Sequence, residues 1–177
     1  SSSVSISSSY LWRGFELGSG TPAVSGDLVY SKSGFYGGVW VSSGDGSAGT
    51  EYDLFAGYGG SINHFSYDLQ YISYIYPTGQ FSKTDGTFGD FAEVVLTLGY
   101  GPVTFVYKDN VAGETGGYAF TEDYKYYSLS GTFDKFSVTI GMHDEGVDVP
   151  EVTGDAIHLD LSYSVRGCVF SIVSETS

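Results

Sequence analysis

Alternation of apolar and polar residues with period two, returning every dozen residues or so, is the feature that most restricts how this chain can fold. Successive strand side chains point to opposite faces, so this alternation marks strands with one apolar face. Helical spacing is absent, and no apolar run approaches the ~20 residues of a spanning helix. Ten segments carry the pattern: Val4 to Trp12, Ala23 to Ser31, Phe35 to Ser42, Glu51 to Gly59, Phe65 to Tyr76, Glu93 to Tyr100, Val103 to Asp109, Tyr124 to Phe133, Phe136 to His143 and Ala156 to Val165. Most have about the length that crosses a bilayer when tilted. The prediction is one all-β domain over residues 1–177, an antiparallel up-and-down β-barrel of about ten strands.

The connections alternate in length. Lys32 to Gly34, Ser61 to His64, Gly101 to Pro102 and Asp134 to Lys135 read as tight turns, and the links between them as long. Pro77 to Asp90 and Asn110 to Asp123 are rich in Gly, Thr and Asp without apolar period, so they read as exposed loops. Long loops on one rim and short turns on the other is the outer-membrane arrangement.

The two faces differ sharply. One carries Tyr52, Leu54, Ala56 and Tyr58, then Val94, Leu96, Leu98 and Tyr100, Val103, Phe105 and Tyr107, Phe136, Val138, Ile140 and Met142, and Ile157, Leu159, Leu161 and Tyr163, with no charge among them. The other carries Asp27, Glu51, Asp53, Asp68, Gln70, Glu93, Thr97, Lys108, Ser128, Ser130, Thr139, His158, Asp160 and Ser162. These are mostly small or acidic groups, unlike the long Lys and Glu side chains that solvate a soluble barrel. Beside the tight turns, Tyr30, Tyr36, Tyr58, Tyr67, Tyr100, Phe133, Phe136 and Tyr163 are placed as an interfacial aromatic girdle. Outer-membrane lipid is the expected partner and the bacterial outer membrane the expected location.

Composition agrees. Asp, Glu, Lys and Arg make up 16% of the chain, against the ~25% usual in soluble domains. A net charge of -14 excludes a nucleic-acid partner, whose phosphates need a basic face. Cys168 is the only cysteine, so no internal disulfide can form. The N-terminus lacks the regions of a signal peptide, and Ser1 is expected to follow a cleavage site.

On the inward parity, Arg13 and Lys108 are the natural partners of Asp27, Asp53, Asp68, Glu93 and Asp160, forming with His158 an interior network that ties the strands together. Barrels of about eight strands are filled by side chains, which argues against a wide pore. The functional alternative is a narrow cation-favouring channel with Arg13 at its constriction, in which charge reversal at Glu93 changes ion preference without unfolding. His158, Asp160 and Ser162 sit two residues apart on one strand, ~6.6 Å per step, too far for the hydrogen bonds of a catalytic triad. No enzyme activity is expected. His64, His143 and His158 have no metal-ligand spacing, so neither a metal nor a cofactor is predicted from them. The carboxylates from Asp144 to Glu151 could at most hold a divalent cation in a loop, and a solvated acidic loop is the simpler reading. Asp85, Asp90, Glu114, Glu122, Asp123, Asp144 and Glu145 are placed in long loops, while Lys32, Lys135 and Arg166 sit at short turns.

Tyr10-Leu-Trp-Arg-Gly14, Gly34-Phe-Tyr-Gly-Gly-Val-Trp40, Glu51-Tyr-Asp-Leu-Phe-Ala-Gly-Tyr58, Phe65-Ser-Tyr-Asp-Leu69 and Tyr74-Ile-Tyr-Pro77 together resemble the bacterial Gcw-type conserved hypothetical proteins, also labelled TorF-family porins. The resemblance runs through roughly the first hundred residues and more loosely to about Asp144. It implies an outer-membrane barrel of poorly defined function. The C-terminus departs from such barrels, which end on an aromatic, whereas this chain ends Val173-Ser-Glu-Thr-Ser177. Residues 166–177 therefore form either a closing strand, which makes the count odd and puts the termini at opposite rims, or a surplus strand. A surplus strand bearing Cys168, Val169, Phe170 and Ile172 could add to a neighbouring subunit, giving the alternative of a self-assembling, extracellular filament.

Overall fold

The computed structural model describes residues 1–16, 19–45, 49–79, 82–83, 85–113, 124–145, 156–166 and 168–176. Thirteen strands occur in chain order: β1 (Ser2–Ser7), β2 (Leu11–Trp12), β3 (Phe15–Glu16), β4 (Ala23–Lys32), β5 (Phe35–Asp45), β6 (Gly49–Ile62), β7 (Phe65–Ile75), β8 (Phe91–Tyr100), β9 (Val103–Ala112), β10 (Tyr124–Phe133), β11 (Phe136–Glu145), β12 (Ile157–Val165) and β13 (Cys168–Thr176). Eleven form one antiparallel up-and-down sheet in the order β1-β4-β5-β6-β7-β8-β9-β10-β11-β12-β13. Nine of the ten expected segments are found as single strands with ends shifted by a few residues, and the C-terminal segment adds a full strand.

The tight turns follow the left-handed conformations that join twisted strands through two residues. Ser33, Asn63, Asp134 and Arg166 have φ of 54°, 57°, 55° and 47°, and Asn and Asp tolerate this region better than most residues. Five such turns, Gly101–Pro102 included, lie on one rim. The opposite rim carries the longer links, with one exception. The β5–β6 ladder continues through a register shift to Asp45↔Gly49, so that link is short.

Several expected boundaries change. Val4 to Trp12 is not one strand: β1 ends at Ser7, and Leu11–Trp12 leaves the sheet to pair with Phe15–Glu16 in a separate hairpin. The alternation lapses at Ser7-Ser8-Ser9, ahead of the apolar run Tyr10-Leu11-Trp12, and the break falls there. Asn110 is not the start of a loop but part of β9, and Asp144 and Glu145 belong to β11. The segment Pro77 to Asp90 is not uniformly exposed. Asp85 is fully buried, its carbonyl accepting from Tyr76 N at 2.8 Å, and Gly89 N donates to Ser73 Oγ at 2.9 Å. Glu114, Glu122, Asp123, the acidic stretch 146–151 and residue 167 lie outside the described residues.

Burial is inverted relative to a soluble domain, whose apolar side chains pack inward. Glu93, His143, His158 and Asn110 are 0 to 2% exposed, whereas Leu69, Ile140, Leu161 and Phe136 are 55%, 54%, 45% and 60% exposed. The outward residues meet in rows across the sheet, as in Val138↔Leu161↔Ile172. Dispersion and area burial therefore contribute little on that face in water, and the buried side is held by polar bonds around the hairpin.

Strand directions alternate along the whole order, so β1 and β13, the two ends of the sheet, run parallel. The N-terminus lies at the turn rim and the C-terminus at the loop rim. No ladder joins β1 to β13 among the described residues.

Candidate functional site

The hairpin β2–β3 occupies the concave side of the sheet. Its turn, Arg13–Gly14, has both residues left-handed, at φ of 46° and 94°, which suits a two-residue hairpin and places glycine where a side chain has no room. A Cβ on Gly14 would meet the His158 Cβ at 2.6 Å. On β11, Gly141 lies opposite His158 in register and is equally constrained, since a Cβ there would collide with the His158 ring and the Tyr126 hydroxyl. These small residues let the hairpin and two histidines approach.

Arg13 is the centre of the network. Its Nη2 pairs with Glu93 Oε2 at 2.5 Å, and the two side chains are 5% and 0% exposed. Tyr74 donates to the same oxygen at 2.7 Å. Burial opposes the guanidinium charge, but Glu93 beside it outweighs this and raises the Arg13 pKa well above its ordinary value. The guanidinium carbon also lies 4.3 Å from the Trp12 ring centre and 5.0 Å from that of Tyr126, a cation–π arrangement suited to arginine.

A ring of hydrogen bonds returns to the same residue. Arg13 Nη1 donates to Tyr124 Oη at 3.1 Å, and Tyr124 Oη lies 2.8 Å from His143 Nδ1. His143 Nε2 lies 2.8 Å from the Arg13 carbonyl. A carbonyl only accepts, so Nε2 carries the proton, and in the neutral ring Nδ1 accepts from the tyrosine. Both ends of Arg13 are thereby fixed to β10 and β11. At the other side of the hairpin, Tyr10 Oη and Tyr76 Oη donate to the two oxygens of Glu51, the second at 2.9 Å. Burial, then the Glu51 carboxylate, pushes the Tyr76 phenol well above its usual range.

His158 and Asp160 correct the spacing argument made from the strand repeat. Their side chains lean together, and His158 Nδ1 donates to Asp160 Oδ1 at 2.9 Å. The second ring nitrogen is 2.9 Å from Tyr126 Oη, so both are occupied, and Ser162 is hydrogen-bonded to neither. His143 and His158 also come together, with ring centres 5.8 Å apart. No group of three or more His, Cys, Asp and Glu that could hold a metal occurs among the described residues.

The expected network is thus only partly one unit. Arg13 joins Glu93, and through Tyr124 and His143 the hairpin reaches the wall beside His158 and Asp160. Asp27 stands apart, accepting from Ser3 Oγ near the β1 edge. Asp68 accepts from Tyr36 Oη at 2.7 Å. Tyr36 therefore faces inward and is not part of the outer aromatic row. The other seven do lie on the outer face by the tight turns, with Tyr58–Tyr67 and Phe136–Tyr163 ring centres 6.2 and 4.8 Å apart. Lys108 faces inward but makes no ion pair with Asp53 or Glu93 among the described residues. A lysine at position 93 would oppose Arg13 in a buried site, so charge reversal there is now expected to destabilise the protein, which thermal unfolding of Glu93→Lys measures.

Between the hairpin and β5, β6, β7 and β9 lies a cavity of 370 Å³, lined among others by Trp12, Trp40, Glu51, Asp53, Gln70 and Lys108. Tyr10, Tyr74, Tyr124, Tyr126 and His143 are interior residues that sequence reasoning missed. Parity with Gln70 for Tyr74, with Ser128 for Tyr124 and Tyr126 and with Thr139 for His143 was the available signal, and the Trp12-Arg13-Gly14-Phe15 turn was the signal for the hairpin.

Neither a curated protein nor a solved structure shows significant similarity to the chain. A family model described as "Bacterial protein of unknown function (Gcw_chp)" matches residues 1–163. With most of its length spanned by that match, the chain belongs to the Gcw_chp family.

Proposed function

We propose that this chain is a bacterial outer-membrane β-barrel whose interior is a filled, charge-networked plug with a narrow polar path beside it, and not a wide diffusion pore. The observation that carries this reading is the inverted burial: ionisable groups at 0 to 2% exposure inside, and bare leucines, isoleucines and phenylalanines outside. In hydrocarbon every backbone polar group must be satisfied internally, which favours closure of the sheet. Closure would pair β1 with β13 in parallel. The outward tyrosines and phenylalanines at the turn rim would then form the interfacial girdle.

Insertion into planar lipid bilayers tests the reading. The expected result is stable insertion with small, cation-favouring conductance, because Glu51, Asp53 and Glu93 outnumber Arg13 and Lys108 along the interior. Large, unselective currents would contradict the plugged interior, and failure to insert would contradict the membrane assignment.

The unpaired edges β1 and β13 favour a second reading, a structural barrel subunit that assembles into an extracellular filament. Unpaired edges template pairing with other chains, and β13 exposes Val169, Phe170 and Ile172 at 64%, 62% and 74%. Ordered polymers lost on deletion of residues 168–176 would support it over the membrane reading.

A further inference from the structure

An acidic and a basic side chain, Asp53 and Lys108, line the 370 Å³ cavity without ion-pair contact between them. Asp53, on the inward face of β6, is 5% exposed, and its Oδ1 is buried without a hydrogen-bond partner. Lys108, on β9, is not in ion-pair contact with it or with Glu93 among the described residues. Asp53 is buried and Lys108 half-buried, and groups held there without close ion-pair contact are only partly compensated, so the site is suited to a solute that supplies both complements. Glu51 is bound by Tyr10 and Tyr76 and strengthens the negative end. Trp12 and Trp40 line the same space and offer apolar surface. The volume falls within the ~300–1,000 Å³ of small-molecule sites. A simple anion would face two carboxylates, and a simple cation would face Lys108.

We propose that this cavity binds a small zwitterion of amino-acid type, with its ammonium on Asp53, its carboxylate on Lys108 and its side chain against the tryptophans. The site is defined by the hairpin and four strands, so it stands whether or not the interior conducts.

The test uses the full chain in detergent micelles, with tryptophan fluorescence followed during titration with L-leucine, and L-alanine as the smaller zwitterion. N-acetyl-leucine removes the positive end and leucine methyl ester the negative one. Saturable binding of at least one free amino acid is expected, with both blocked forms weaker by about tenfold or more, as loss of a charge-assisted hydrogen bond implies. Lys108→Met should abolish the preference over the ester, and Lys108→Arg should retain it. Asp53→Asn should abolish the preference over the N-acetyl form. Thermal unfolding confirms that each variant folds, and if Asp53→Asn does not, the Lys108 pair decides the question. No saturable response to either amino acid overturns the proposal. So does an ester that binds as well as leucine, which would mark an organic-cation site, or an N-acetyl form that does so, which would mark an anion site.

Discussion

Replacing Arg13 by Met is expected to destabilise the protein by about 3–5 kcal/mol, the usual cost of removing one partner from a buried ion pair. Glu93 is 0% exposed and would keep only the Tyr74 hydrogen bond on Oε2. Tyr124 would lose its guanidinium donor, and the hairpin would lose its strongest link to β8 and β10. Urea titration of the protein in lipid vesicles measures the loss. The double variant R13M/E93Q should recover much of it, because the uncompensated carboxylate is then gone. The cycle thus separates the cost of an orphaned charge from the net contribution of the pair. A loss below about 1 kcal/mol for R13M, typical of exposed pairs, would mean that the guanidinium is not held in the interior.

Leu161→Arg is the second large effect, and its size depends on the surroundings. Leu161 is 45% exposed on the outer face, between Val138 and Ile172 in register. In water a surface substitution is usually within about 0.5 kcal/mol of neutral. An arginine on the lipid face near the bilayer midplane costs about 2–4 kcal/mol. The proposed membrane barrel therefore predicts a large loss for L161R in vesicles and little for Asp134→Arg, which sits in a tight turn at the rim. Equal, small effects at both positions would favour an aqueous surface.

The strands were legible because period two is imposed by backbone geometry and repeats locally, so Leu159-Asp160-Leu161-Ser162 already declares its two faces. The Arg13–Glu93 pairing was legible as charge balance on one parity. The inner hairpin was not, although Ser7-Ser8-Ser9 interrupts the alternation before Leu11 and Trp12, because departure from a sheet is decided by what the residues meet on the other side. Tyrosine misled in both directions. Tyr36 reads as a girdle residue but turns inward to Asp68, and Tyr124 and Tyr126, given no role from the sequence, turn their hydroxyls to the two histidines. The His158–Asp160 bond escaped a rule based on backbone spacing because side chains lean along the strand. Asp85 was placed in solvent because its burial depends on contacts made by a whole returning segment. Whether β1 meets β13 is a property of sheet curvature, which no local pattern encodes.

The central claim is that the apolar face of this sheet meets lipid, and its most direct test is a scan of lipid-phase quenching along β12. With Cys168 replaced by Ser, single cysteines at positions 157–163 would carry an environment-sensitive fluorophore in vesicles containing a lipid-tethered quencher. The account predicts quenching that alternates with period two, strong at Ile157, Leu159, Leu161 and Tyr163 and weak at His158, Asp160 and Ser162. Quenching that is absent or uniform along the strand would contradict it.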